Sequence, residues 1–283
     1  SVKKIVSVTS QRGSRKRMSL FSGVKEKIGA FLYTIKIASV GKWAAIVSGV
    51  LSGIALILIM GFVFVNGLPE LITNPHLIFG KYEFGSENIT ILPSIVATLM
   101  AVVLSLVIAV PIGIMTAVFL NEYTKKNNIL VRAIRTAIDI LSGVPSIVYG
   151  LFGMITFVKV FGGSSSVIAG SLTVSIMLLP TIVRSTEESL KAVEDSLREG
   201  SFALGAGKLR TIFKIVLPAS LSGIISAVIL SMGRVVSESA PFLYTMGSVI
   251  SAVPKGYGDS GATLAVALYQ LSGEGWYLNE AFG

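Results

Sequence analysis

Cysteine is absent from the 283 residues and histidine occurs once. No disulfide can staple the fold, and no thiolate is available as nucleophile or metal ligand. His76 stands alone in a polar loop, which makes no metal cluster and suits a solvated surface histidine. The apolar runs contain serines but no histidine to serve as base, which argues against a membrane-embedded hydrolase. Charge is scarce as well: 14% of residues are Asp, Glu, Lys or Arg, against about a quarter in a soluble domain. No Gly-x-x-x-x-Gly-Lys-Ser/Thr occurs. Gly205-Ala206-Gly207-Lys208 only imitates its end, because no strand precedes it and Leu209 follows where a hydroxyl is required.

What fills the chain is apolar surface. Hydrophobic residues make up 52% of it, and the mean hydropathy of +0.78 marks a membrane protein. The net charge of +9 does not read as a nucleic-acid groove. Its basic residues sit in blocks between apolar runs, with almost no aromatic interleaving, which is a topology signal. The first apolar run is too long for a signal-peptide h-region and follows a mixed basic segment, so no cleavable signal peptide is apparent.

The pattern predicts an all-α, polytopic membrane helix bundle. Residues 1–42 form a basic cytoplasmic N-terminal region, within which residues 28–40 read as a surface helix. A first span covers about 43–68 and an external loop 69–90. Further spans cover about 91–120, 136–161, 167–183 and 218–241, each long enough for roughly 30 Å of hydrocarbon. The segment 184–217 is cytoplasmic and 242–283 external. With this threading, 20 of the 24 Lys and Arg fall on one side of the membrane, as the positive-inside rule requires. Pro111 and Gly113 permit a kink in the second span. Ser142-Gly143-Val144-Pro145-Ser146 predicts close packing and a bend in the third. Asp139, four residues after Arg135, suits a local ion pair.

Two features fit no bland membrane helix. The first is Arg234, inside the last span with Glu238 one helical turn further on. A buried arginine costs a few kcal/mol even on the forgiving insertion scale. Its planar, permanently charged fork suits a tetrahedral oxyanion, although pairing with Glu238 to fix helix packing is the structural alternative. Arg184, at the inner end of the fourth span, suits either a membrane edge or the same pathway. The second feature is the polar stretch 199–218, helix-forming on both sides of Gly205-Ala206-Gly207. Leu209, Ile212, Phe213 and Val216 recur at helical spacing, and Pro218 opens the next apolar run. It predicts a short elbow of two helices at the membrane surface.

That stretch resembles the EAA loop of ATP-binding-cassette importer permeases. Glu199, Gly205, Ile215, Leu217 and Pro218 fall on its fixed positions, and Gly200-Ser201 replace the usual two alanines. The segments from Met177 to Glu188, from Asp139 to Gly150 and from Gly233 to Pro241 are similar to phosphate permeases of the PstA type. Ser237 and Ser239 stand where glycine and threonine are usual. The resemblance implies the type I ABC importer permease class, with five spans visible here and a sixth following the C-terminal segment. It implies a substrate pathway through Arg234, Glu238 and Arg184, and ATPase coupling through Glu199, Gly200, Ser201, Ala203, Leu204 and Gly205. It also implies a multi-pass protein of a bacterial or archaeal cell inner membrane. The implied partners are a sister permease (PstC type), two ATPase subunits (PstB type) holding ATP and Mg, and an external phosphate-binding protein (PstS type). This chain itself is expected to be non-catalytic and to bind no cofactor. A PstC-type permease, or one for phosphonate or molybdate, stays open on spacing alone. An anion channel would share Arg234 but have no use for the elbow.

Overall fold

The computed structural model describes residues 41–69, 71–73, 90–124, 128–160, 163–250 and 252–274. The expected surface helix over 28–40, His76 and residues 275–283 lie outside them. Most of the described residues are helical, with no strand among them. Two units divide the chain, Ser1–Val65 and Asn66–Gly283. The described part of the first belongs to one helix, α1, which runs Gly41–Thr73 and is long and apolar enough to cross a membrane.

The second unit is built on two more such helices, α2 (Leu92–Tyr123) and α5 (Val167–Lys191). Their contact follows from a fourfold spacing in the sequence. Ala97, Ala101, Ser105, Ala109, Gly113 and Ala117 are all buried along one face of α2, and small side chains let the backbones approach where lipid gives no hydrophobic push. Hydroxyls knit the seam: Ser105 Oγ donates to the Ser171 carbonyl at 3.3 Å, and Ser175 Oγ donates to the Ser105 carbonyl at 3.1 Å. Gly113 is a packing residue here. A Cβ on it would lie 2.6 Å from Ile182 Cγ2, and the helix continues through Pro111 and Gly113 from Leu92 to Val118 without a break. The final five residues of α2, Phe119–Tyr123, form one π-helical turn.

The third expected span, over about 136–161, takes the form of two helices. α3 (Ile129–Gly143) and α4 (Ser146–Val158) meet at 103°. Pro145 lacks an N–H and disfavours helical conformation in the residue before it, so Val144 is extended at φ −73°, ψ 129°. The carbonyl of Leu141 freed by the break is not left bare. It accepts from Val144 N–H at 3.3 Å and from Tyr149 Oη at 2.7 Å.

The last expected span also bends. α7 (Lys208–Ala219) meets α8 (Leu221–Ser237) at 65°. The segment after it, expected to be external, packs on the bundle as far as Glu274. α9 (Ala240–Thr245) buries Phe242 and Thr245 completely, and α10 (Leu264–Glu274) buries Val266 against the same core as Ala97 and Ala101. Thr98 Oγ1 on α2 accepts from Leu264 N–H at 2.9 Å. The intervening loop supplies carbonyls to the otherwise unpaired first N–H groups of α5: Val167 donates to Asp259 and Ile168 to Tyr257, both at 2.9 Å. Part of its Gly and Ser content lies in this folded loop.

Candidate functional site

At one end of the unit, α6 (Asp195–Ala203) and α7 form the elbow. The helix α6 has to stop and reverse within three residues, and Gly205 makes this possible with φ +79°, a left-handed conformation that other L-residues enter at a cost. Gly205 N–H donates to the Phe202 carbonyl at 2.9 Å, and Ala206 N–H to the Ser201 carbonyl at 3.1 Å. These two bonds are the Schellman cap, which closes a helix C-terminus around a left-handed residue. Ser201 is buried, and its Oγ lies 2.8 Å from Thr211 Oγ1, joining the two limbs.

The six residues expected at this surface therefore divide. Glu199, Gly200, Ala203, Leu204 and Gly205 are exposed, with Leu204 at 90%, while Ser201 faces inward. Phe202, Leu209 and Phe213 are also exposed, so the elbow presents an apolar surface rimmed by charge.

Two groups of charged side chains surround the expected pathway residues. Arg234 lies in the last turn of α8, where its charge complements the helix C-terminus. Glu238 does not continue the helix: it is extended at φ −79°, ψ 128°, yet its Oε1 still lies 3.5 Å from Arg234 Nε. Arg234 Nη1 reaches Thr181 Oγ1 of α5 at 3.4 Å. Both contacts are long for hydrogen bonds. They engage two of the five N–H groups a guanidinium carries, and the Arg234 side chain remains 44% exposed while that of Glu238 is 17% exposed.

Thr181, which sequence reasoning missed, precedes Arg184 by three residues and so shares its side of α5. Arg184 pairs with Asp139 on α3, and Arg135 pairs with Glu187, which also holds Lys191 at 3.2 Å. The expected local pair between Arg135 and Asp139 is therefore replaced by two pairs that cross from α3 to α5. The i,i+4 spacing makes a local pair available, but α3 lies against α5 and offers each charge a cross-helix partner instead. Among the described residues, no group of His, Asp and Glu is placed to hold a metal ion.

Three apolar helices long enough to cross a membrane and two bent helix pairs define a polytopic helical membrane protein of the kind that permease subunits are. Residues 109–271, more than half of the chain, match the family described as binding-protein-dependent transport system inner membrane component, and the chain belongs to that family.

Named relatives agree. The chain is 39% identical over 195 residues to the phosphate transport system permease protein PstA homolog of Mycoplasma pneumoniae, covering 67% of this chain and 29% of that protein. It is 45% identical over 150 residues to the phosphate transport system permease protein PstA of Mycobacterium leprae, covering 53% and 49%. It is 32% identical over 207 residues to the probable ABC transporter permease protein YqgI of Bacillus subtilis, covering 73% and 68%. The matched segment thus spans less than half of the mycoplasma and mycobacterial relatives. Among solved structures, the MetNI methionine ABC transporter in inward-facing conformations has a similar fold, with a TM-score of 0.51 at 21% identity over 68% of this chain and 82% of that one.

Proposed function

We propose that this chain is the PstA-type permease subunit of an ATP-driven phosphate importer and forms half of its translocation pathway. The observation that carries the proposal is Arg234. A guanidinium in a membrane helix, held by only two long contacts to Thr181 and Glu238, retains donors for a tetrahedral oxyanion, and its fork geometry pairs two oxygens at once. Glu238 balances the charge when the site is empty and accepts a hydrogen bond from the O–H of hydrogen phosphate when it is filled. Arg184, held by Asp139, adds positive potential one turn beyond Thr181. The relatives named PstA supply the choice of phosphate among oxyanions.

In this proposal the elbow and the basic blocks face the cytoplasm, since charge asymmetry sets orientation. The exposed surface of Glu199, Gly200, Ala203, Leu204 and Gly205 seats in an ATPase of the PstB type, which binds ATP and Mg. A PstC-type permease completes the pathway and a PstS-type protein delivers phosphate from outside. Reconstituted with these partners, the Arg234→Gln chain is expected to assemble fully and to lose ATP-driven phosphate uptake. Uptake at the wild-type rate in that variant overturns the pathway role.

A further inference from the structure

Below the hydroxyl seam, α2 ends in the π-helical turn Phe119–Tyr123, and two adjacent residues of that turn reach the two limbs of the elbow. Glu122 Oε1 accepts from Arg198 Nη2 of α6 at 3.1 Å. The Tyr123 ring faces Lys208 Nζ of α7 at 5.1 Å from its centroid, within the range of a cation–π contact. The Glu122 and Arg198 side chains are only 11% and 14% exposed, unlike the surface pairs that contribute little.

Arg198 does more than meet Glu122. Its Nη2 also donates to the Leu190 carbonyl and its Nη1 to the Val193 carbonyl, both at 2.7 Å, with Asp195 Oδ1 at 3.0 Å. Leu190 lies in the last turn of α5 and Val193 just past its end. One guanidinium therefore joins the end of α2, the end of α5 and the first limb of the elbow. Asn121 Nδ2 donates to the same Glu122 oxygen at 2.9 Å and fixes the carboxylate. On the other side the elbow continues into α8, which carries Arg234, across the 65° bend after Ala219.

We propose that Glu122 and Arg198, backed by Tyr123 and Lys208, are positioning residues that carry displacement of the elbow into α2 and α5 as one body. The bend before α8 is then the place where these helices move relative to Arg234. Through this link the elbow shifts Thr181 and Arg184 on α5 against Arg234 on α8, which opens and closes the anion site. The proposal rests on the importer function above, because it needs a motor seated on the elbow. Covalent continuity alone predicts the opposite order, with α8 moved first and α2 following through side-chain packing.

The test uses the assembled permease–ATPase complex in proteoliposomes with the phosphate-binding protein. Glu122→Ala removes the ionic tie to α2, keeps the Tyr123–Lys208 contact and leaves Arg198 bonded to the two carbonyls and Asp195, so the elbow stays folded. Expected are unchanged copurification of the ATPase, an ATP hydrolysis rate within about twofold of wild type, and about tenfold less phosphate taken up per ATP hydrolysed. Glu122→Gln, which keeps an acceptor oxygen, is expected to fall between. A second readout does not depend on the substrate: ATPase docking slows amide exchange over residues 119–123 in the wild-type complex and leaves it unchanged in Glu122→Ala. Uptake per ATP equal to wild type, or the same exchange response in both proteins, overturns the link. Loss of ATPase binding in Glu122→Ala also overturns it, since that marks a structural role. Wild-type complexes that hydrolyse ATP without taking up phosphate contradict the substrate assignment, while the exchange response still decides the link.

Discussion

Gly205 is a position where backbone conformation and space separate cleanly. Its φ is +79°, and a Cβ built on it meets nothing within 4 Å. A side chain therefore costs stability through the left-handed backbone alone, about 1–2 kcal/mol for alanine. Asparagine enters this region more readily than alanine, and valine less readily. Since about 1.4 kcal/mol is a factor of ten, Gly205→Ala shifts the balance between capped and frayed elbow about tenfold toward the frayed form. The cap holds two amides, at residue 205 to the Phe202 carbonyl and at Ala206 to the Ser201 carbonyl. Hydrogen exchange at Ala206 is the assay, because its donor is retained in every variant. Exchange is expected to accelerate about tenfold in Gly205→Ala, less in Gly205→Asn and more in Gly205→Val. The same order is expected for loss of ATPase copurification. Wild-type exchange in Gly205→Ala, or valine no worse than asparagine, refutes the role assigned to the left-handed backbone.

Gly113 gives the complementary case, a normal backbone with no room: Gly113→Ala drives a methyl into Ile182 Cγ2 and is expected to destabilise the α2–α5 contact by about 1–3 kcal/mol, read as a lower Tm in detergent. Restoring space with Gly113→Ala plus Ile182→Val is expected to recover part of the loss. Ser201→Ala removes the hydroxyl–hydroxyl contact between the two limbs and leaves Thr211 Oγ1 its bond to the Gly207 carbonyl at 3.3 Å, and is expected to cost about 0.5–1.5 kcal/mol. Asp139→Asn frees Arg184 from its partner on α3, and the assembled complex is then expected to bind phosphate more tightly while turning over more slowly.

The sequence carried the parts of the fold that depend on local chemistry. Apolar run length gives α1, α2 and α5, and Pro145 after Gly143 announces a bend. The 103° angle and the capture of the Leu141 carbonyl by Tyr149 do not follow from it, since both depend on what packs around the break. The elbow is legible from Gly205 and the helical spacing on either side. Ser201 is not, because its smallness reads as tolerance at a docking surface while its hydroxyl turns inward to Thr211. Ion-pair partners are the clearest misreading. Arg135 and Asp139 have ideal spacing for each other on α3, and each is taken by a charge on α5. Thr181 and Glu122 carry no signal in one dimension, as their meaning comes from partners 53 and 76 residues away. The packing of the glycine-rich C-terminal segment on α2 and α5 is not legible either, because composition records flexibility of the free chain and not the contacts that remove it.

The cysteine-free background allows the direct measurement. A single Thr181→Cys in the assembled complex places one thiol beside the Arg234 guanidinium, to be probed with a negatively charged, membrane-impermeant thiosulfonate. An anion pathway at Arg234 predicts rapid modification that phosphate slows and chloride does not. A thiol that stays unreactive, or reacts at the same rate with and without phosphate, contradicts it.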